Sequence, residues 1–229
     1  MKADNKVVVI GAGISGAAAA RVLAERGKKV LLVEKNDHVG GSVYDYVDDG
    51  IIVQAHGPHI FHTDDFDVFK FLSKFTQWQE YDHRVSGYID GKFVPLPFNL
   101  TSLSMLRKDS ESIERKLVSV YGLGKSVSVG ALMRSSDATI SEFGRFVYEK
   151  VFSYYTLKQW GSRTVPDSVL DRVPVKICYQ HGYFDDRYIY QPVDGFTAMI
   201  EKMLSHPNIE LKLSCDGREL IDVGDEEIK

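Results

Sequence analysis

The first 34 residues alternate between apolar runs and a glycine-rich break. Lys6–Ile10 is a continuous β-branched run, a pattern typical of a strand buried on both faces of a parallel sheet. The alanine-rich stretch 17–26 has helical spacing and stops at Gly27, which suits a helix C-terminus. Residues 30–34 form a second apolar run. Together these segments predict a β-α-β unit with a right-handed crossover, and therefore a parallel sheet.

After this unit the regular alternation stops. Residues 51–54 predict a short strand, and residues 66–75 place Phe66, Phe69, Leu72 and Phe75 on one helical face. Val85–Ile89 and Lys92–Leu96 flank Asp90-Gly91, a pair typical of a type I′ hairpin turn. Further helices are predicted at 110–121, 139–150, 167–171 and 195–204, and further strands at 175–179, 188–191 and 209–213.

Gly11, Gly13 and Gly16 form a G-x-G-x-x-G motif directly after the first strand. Gly11 permits a tight turn, a side chain at Gly13 would collide with a pyrophosphate, and Gly16 lets the helix approach the strand. The helix N-terminus offers free N–H groups to phosphates. Glu34 ends the second strand, where a carboxylate can accept hydrogen bonds from a ribose. This context favours a dinucleotide site over a glycine-rich turn that binds nothing.

Composition narrows the class of protein. The 229 residues carry a formal net charge of −4, so no basic surface for nucleic acid or anionic membranes is indicated. The apolar runs are far shorter than the roughly 20 residues of a membrane helix, and no signal peptide precedes the first strand. Cys178 and Cys215 form no C-x-x-C pair and are expected to be reduced thiols. These features predict a cytoplasmic globular protein.

Three histidines, His56, His59 and His62, lie within residues 54–63. On a strand, His59 would point away from the other two, and the segment contains no cysteine or acidic residue. We therefore expect no metal site here. From the residues alone, histidines with structural hydrogen bonds are the plain alternative to functional ones.

Six ordered motifs resemble those of UDP-galactopyranose mutases. They are 57–63 (GPHIFHT), 96–99 (LPFN), 155–161 (YTLKQWG), 172–175 (RVPV), 183–188 (YFDDRY) and 192–197 (PVDGFT). The pairing of HIFHT with KQWG is much more specific than the glycine motif. Gly40 and Gly41, which follow Glu34, resemble the adenine-dinucleotide site of FAD enzymes more than that of NAD enzymes.

This resemblance implies an isomerase that interconverts UDP-galactopyranose and UDP-galactofuranose with no net redox change. In the family, N5 of reduced FAD attacks the anomeric carbon of galactose, and a covalent intermediate divides one hard step into easier ones. The implied partners are the two nucleotide sugars and a reductant such as NAD(P)H. A homodimer is implied for the full-length enzyme.

The resemblance also assigns roles to individual residues. The implied cofactor-binding residues are Gly11, Gly13, Gly16, Glu34, Gly40, Gly41 and His59. The implied substrate-binding residues are His83, Tyr155, Thr156, Trp160, Arg172 and Tyr183. His59 would lie beside the flavin near N5 and, with Arg172, would be catalytic. Tyr155 would stack on uracil, while Arg172 and Tyr183 would reach the diphosphate.

The expected fold is α/β: a Rossmann-like FAD-binding sheet, an inserted helical domain and an antiparallel sheet region. We predict the FAD-binding domain at 1–80 and 199–229, the helical domain at 98–174, and the sheet region at 81–97 and 175–198. Only three strands suit the open sheet, where five or six are usual. The sequence therefore resembles the N-terminal part of a mutase, as in a C-terminally truncated enzyme. We expect this 229-residue chain to be inactive alone.

Some positions depart from the family pattern. Lys176 stands where a second arginine is usual, His83 stands where many members have an asparagine, and the loop 161–171 is short. The family's C-terminal flavin-binding segment is absent from the sequence. Two alternatives remain open: a redox flavoprotein of the amine oxidase type, which shares the N-terminal motifs, and a non-catalytic binding module on the same fold.

Overall fold

A computed structural model describes residues 6–161 and 166–219, apart from the side chains of Thr156, Trp160 and Glu219. The chain divides into two compact units. The first unit comprises Met1–Tyr81 and Asp186–Lys229, and the second comprises Asp82–Asp185. Within the described ranges, no helix combines the length and apolar character needed to cross a membrane.

The described residues alternate between short strands and helices. The strands are β1 Lys6–Ile10, β2 Lys29–Val33, β3 Asp45–Asp48, β4 Ile51–Gln54, β5 Phe61–Thr63, β6 Trp78–Glu80, β7 Val85–Ile89, β8 Lys92–Leu96, β9 Lys125–Ser128, β10 Pro174–Ile177, β11 Tyr188–Pro192 and β12 Ile209–Lys212. The α-helices are α1 Ile14–Glu25, α2 Phe66–Leu72, α3 Leu100–Leu106, α4 Ser110–Tyr121, α5 Val129–Met133, α6 Ala138–Val147, α7 Ser153–Trp160, α8 Asp167–Leu170 and α9 Gly195–Leu204.

A parallel sheet in the order β1-β2-β12 forms the centre of the first unit. The predicted β-α-β unit is confirmed, and Gly27 ends α1 with a φ of +78°. Ala17, Ala20 and Ala24 of α1 are buried in a core that includes Met199 of α9. Small alanine side chains let α1 pack close to its neighbours, and the packing of this layer holds the glycine turn in place.

The predicted burial of both faces holds for β2 but not for β1. Val30, Leu32 and Val33 of β2 are buried, because β2 lies between the other two strands. In β1, Val8 is 49% and Ile10 is 53% exposed. β1 is one of the two edge strands of this sheet, and its apolar run alone overestimated its burial.

An antiparallel layer completes the first unit. β11 pairs with β5 on one side and β6 on the other, while β3 and β4 form a hairpin. Phe69 of α2 stacks on Tyr188 of β11 with ring centroids 4.4 Å apart. α2 ends at Leu72, earlier than predicted, and Phe66 is exposed rather than part of the buried face.

The second unit is mainly helical. Its core includes Phe98, Leu117 of α4, and Ile140 and Phe143 of α6, which come from three different segments. The β7–β8 hairpin is confirmed, with positive φ angles at both residues of its Asp90-Gly91 turn. The π-helical turn Tyr148–Phe152 directly precedes α7.

Strand pairing differs from the predicted three-part division. In the described ranges, β7 and β8 pair with each other and β10 pairs with β9, whereas β11 belongs to the first unit. The residues predicted as one antiparallel region therefore divide between two units. β11 pairs with β5 and β6 of the first unit. The pairing of β10 with β9 was not predicted, because β9 has the short and polar sequence KSVS.

Candidate functional site

Two glycine turns cross beside the carboxyl ends of β1 and β2. Gly13 and Gly40 form a parallel bridge, and the Gly40 N–H donates to the Ala12 carbonyl oxygen at 2.9 Å. Gly40 and Gly41 both have positive φ, and a Cβ on Gly41 would lie 3.2 Å from the Gly13 Cα. The positive φ at both positions and the close approach at Gly41 therefore favour glycine at 40 and 41.

The structure explains the presence of glycine at the three motif positions in different ways. Gly11 has a φ of +94°, and a Cβ on Gly16 would lie 1.9 Å from the Gly11 carbonyl oxygen. Gly13 has an ordinary φ of −71°. The atom nearest to a Cβ added at Gly13 would be the Gly41 Cα, at 4.0 Å. The fold therefore requires glycine at 11 and 16 but not at 13. A glycine that packing does not require fits a close approach of ligand phosphates to the backbone.

Glu34 lies between the two turns in the sequence and is only 6% exposed. Its Oε2 accepts from the Ala12 N–H at 2.8 Å, and its Oε1 accepts from the Asn36 N–H at 3.0 Å. A carboxylate has about four lone-pair sites, so these bonds leave capacity for ribose hydroxyls. The residues fit the adenosine diphosphate half of a dinucleotide.

His59 lies in the turn between β4 and β5, not on a strand. Its Nδ1 is 2.9 Å from the Gly57 carbonyl oxygen. A carbonyl can only accept, so Nδ1 carries the proton and Nε2 of the neutral ring is an acceptor. His62, on β5, instead pairs with Asp186 at 3.0 Å.

A surface cleft of about 460 Å³ lies next to this turn in the first unit. Gly57, Pro58 and Ile60 form part of its wall, together with Gln54 and Gln191. The cleft combines apolar side chains with a few amides, a composition common in small-molecule sites.

The second unit holds the predicted substrate residues, and it brings His83 and Tyr183 together. Their rings meet edge to face with centroids 5.3 Å apart, and the Tyr183 N–H donates to the His83 carbonyl oxygen at 2.9 Å. The Phe184 ring also faces His83 at 5.9 Å. The segment 182–185 is thus fixed against His83.

Lys176 anchors the same segment, a role that sequence reasoning missed. It is 4% exposed, and its Nζ donates to the carbonyl oxygens of Gly182 and Tyr183 at 3.0 and 3.2 Å and to Asp185 Oδ1 at 2.6 Å. A buried ammonium needs such partners. The available signal was a lysine inside the otherwise apolar strand PVKI.

Tyr155 and Arg172 both present exposed side chains. Tyr155 lies on α7 and is 61% exposed. Arg172 follows α8, and within residues 6–161 and 166–219 its guanidinium has no ion-pair partner. The neighbouring Asp171 is instead paired with Arg134, which raises the pKa of that arginine through a hydrogen bond. The side chains of Thr156 and Trp160 lie outside the described residues.

Asp45 is a second buried group that the sequence did not single out. It is 5% exposed, and its carboxylate accepts from the N–H groups of Phe196 and Thr197 at 2.7 and 2.9 Å. It therefore caps the N-terminus of α9 from a distant part of the chain. A Cβ on Gly195 would lie 2.8 Å from this carboxylate, which explains the glycine of PVDGFT.

Comparison with known proteins adds direct evidence on family. A family model described as UDP-galactopyranose mutase matches residues 150–229, and one described as an NAD(P)-binding Rossmann-like domain matches residues 9–75. The dTDP-fucopyranose mutase of Escherichia coli is 37% identical over 91% of this chain and 56% of its own length. The probable UDP-galactopyranose mutase of Klebsiella pneumoniae is 33% identical over 92% of this chain and 56% of its own length. The UDP-galactopyranose mutase of Mycoplasma pneumoniae is 34% identical over 96% of this chain and 57% of its own length. The chain resembles the N-terminal part of UDP-galactopyranose mutases.

A solved structure of reduced UDP-galactopyranose mutase supports the fold. It aligns with a TM-score of 0.63 at 20% identity, covering 91% of this chain and 48% of that one. A putative protoporphyrinogen oxidase from Exiguobacterium aligns with a TM-score of 0.54 at 17% identity, covering 93% of this chain and 53% of the oxidase. The predicted Rossmann-like α/β class is confirmed. The chain spans a little over half the length of the curated mutases it matches.

Proposed function

We propose that this protein takes part in the flavin-dependent interconversion of UDP-galactopyranose and UDP-galactofuranose. One observation carries the proposal: relatives named as nucleotide-sugar mutases are 33–37% identical over more than nine-tenths of this chain. The site geometry supports it, because the glycine crossing fits a dinucleotide and the second unit presents groups suited to a nucleotide sugar.

Reduced FAD, when bound, would supply a nucleophilic N5 atom toward the anomeric carbon of the sugar. The chain's part is to hold that cofactor. Gly13 admits phosphates to the backbone, N–H groups at the start of α1 offer hydrogen bonds, and Glu34 offers carboxylate oxygens to the ribose. The Nε2 of His59 offers an acceptor for a nearby N–H group.

Binding of the nucleotide sugar is assigned to the second unit. The Arg172 guanidinium can hold two diphosphate oxygens at once, which would stabilise the departing UDP. The exposed ring of Tyr155 offers a face for base stacking. Tyr183 and His83 form an adjacent pair of polar aromatic groups that Lys176 holds in place. The roles expected of Thr156 and Trp160 stay predictions.

A dTDP-fucose substrate is the second candidate. The Escherichia coli dTDP-fucopyranose mutase shares 37% identity with this chain, compared with 33% and 34% for the UDP-galactopyranose relatives above. The reaction class is the same, and the nucleotides and sugars differ by small groups. The match of residues 150–229 to the UDP-galactopyranose mutase family model favours a mutase over the redox flavoprotein and the binding module.

The proposal is tested with the protein purified as its source cell produces it, loaded with FAD and reduced with dithionite. UDP-galactofuranose and dTDP-fucofuranose are supplied separately, and products are separated by anion-exchange chromatography. We expect conversion of one furanose to its pyranose, no net use of reductant per turnover, and at least a tenfold loss in Arg172→Ala. An Arg115→Ala variant, altered at an arginine outside the assigned site, serves as the control.

Other results would overturn the proposal. Substrate-dependent consumption of oxygen would support the redox flavoprotein, and a colourless protein that takes up no FAD would support the binding module. Conversion by this 229-residue chain alone would refute the expectation that it is inactive by itself. The reductant, the homodimer and the cytoplasmic location stay predictions.

A further inference from the structure

The backbone of His59 is held by two glutamine side chains. Gln54 pairs with it twice: its Oε1 accepts from the His59 N–H at 2.6 Å, and its Nε2 donates to the His59 carbonyl oxygen at 3.1 Å. Gln191 donates its Nε2 to the same carbonyl oxygen at 2.7 Å. The amide orientation of Gln54 is fixed by these bonds, since an N–H needs an acceptor and a carbonyl needs a donor.

The two glutamines come from different sheets. Gln54 ends β4 of the hairpin, whereas Gln191 lies in β11 of the antiparallel layer, 132 positions from His59 along the chain. Both are half-buried and lie in the wall of the same cleft. The turn 55–60 is thus attached to two independent parts of the first unit.

This attachment affects the imidazole because the ring is bonded within the same short turn. His59 Nδ1 donates to the Gly57 carbonyl oxygen, and Gly57 has a φ of +93°. The bond depends on the direction of the backbone between Gly57 and His59. If the His59 peptide rotated, the ring would lose the carbonyl that selects its Nδ1–H tautomer.

We propose that Gln54 and Gln191 are positioning residues that fix the peptide of His59 and thereby keep its ring as the Nδ1–H tautomer, with Nε2 as an acceptor. The inference deepens the proposed function, because it concerns the histidine assigned to the flavin side of that site. Neither glutamine lies in the six motifs that carry the family resemblance.

The test uses Gln191→Met, which keeps the length of the side chain and removes its donor, and Gln191→Glu, which keeps its shape. Gln54→Met removes both bonds of Gln54. Gln77→Met is the control, an exposed glutamine of the same unit whose side chain has no hydrogen bond among the described residues. Far-ultraviolet circular dichroism verifies that each variant is folded.

Two measurements do not require turnover. Amide hydrogen exchange at His59 should accelerate about thirtyfold in Gln54→Met and about fivefold in both Gln191 variants, the sizes expected for two lost bonds and one. The ¹⁵N spectrum of the His59 ring should show Nδ1–H in the wild type and a mixture of tautomers in the variants. Gln77→Met should match the wild type in both.

Turnover separates this inference from the proposed function. If the wild type converts either furanose, the Gln191 variants should lower kcat at least fivefold with KM within twofold. If it converts neither, the proposed function fails, while exchange and ring spectra still decide the role of the glutamines. Unchanged exchange at His59 and an unchanged ring tautomer in folded Gln54→Met and Gln191→Met would overturn the inference.

Discussion

Replacing Asp45 with alanine should destabilise the first unit more than replacing Asp194, the acidic residue directly before α9, with alanine. Asp45 is almost fully buried and accepts two N–H groups from the first turn of α9. Asp194, directly before Gly195, occupies the usual capping position by sequence, but it makes no capping bond and pairs with Lys202 at the surface. The structure thus assigns the capping role to Asp45 rather than to Asp194.

The size of the effect follows from the bonds that are lost. Hydrogen bonds to a charged acceptor are each worth about 1.5–3 kcal/mol, and loss of an N-cap costs about 0.5–2 kcal/mol. These figures describe the same two bonds, so they are not summed. We expect about 3 kcal/mol for Asp45→Ala and about 1–2 kcal/mol for Asp45→Asn, which keeps one oxygen. Asp194→Ala should cost less than about 1 kcal/mol.

Urea unfolding measures these differences. Trp78 lies in the first unit, so its fluorescence reports that unit when Trp160 is replaced by phenylalanine in every variant. Midpoints are compared only where the slope of free energy against urea is unchanged. If Asp45→Ala lost no more stability than Asp194→Ala, the assignment of the cap would be refuted.

Three further predictions concern other parts of the chain. Gly13→Ala should leave the free energy of unfolding within about 0.5 kcal/mol of wild type and abolish FAD binding in a fluorescence titration, whereas Gly16→Ala should destabilise the fold because its Cβ meets backbone. Lys176→Met should make the segment 181–186 more sensitive to limited proteolysis than Lys176→Arg does, since only arginine keeps donors for its carbonyls. Hydrogen bonds from Arg218 lower the pKa of Asp216 from 3.8 to about 2. The stabilisation from this pair is full above the ordinary carboxyl pKa and is lost as the pH falls toward 2, so Arg218→Met should return the pKa measured by NMR toward 3.8.

The sequence was sufficient to predict the elements whose conformation is determined by residues close together in the chain. The Asp90-Gly91 turn requires positive φ at both positions, and its hairpin forms with the predicted bounds. α9 also has its predicted bounds, because its apolar face is uninterrupted. α1 begins earlier than predicted, at Ile14, since the glycine turn itself supplies its first residues.

Contacts between distant segments could not be predicted in this way. Nothing near Asp45 in the sequence indicates that it caps a helix some 150 positions away. The polar strand β9 was missed because its pairing with β10, not its composition, makes it a strand. Lys176 was noted only as a departure from the family pattern, since its three acceptors lie on a segment that packing brings back to it.

Two of the expected departures from the family pattern converge on one structural feature. By the family resemblance, Lys176 stands where an arginine is expected and His83 where an asparagine is expected, and both contact the segment 182–185 that carries Tyr183. The glycine crossing, by contrast, shows no departure among the residues that the family resemblance predicts for the cofactor. Since the differences are concentrated in the second unit, we expect that unit to decide between UDP-galactose and dTDP-fucose. The double variant His83→Asn, Lys176→Arg should then change the ratio of kcat/KM for the two nucleotide sugars and leave FAD affinity unchanged.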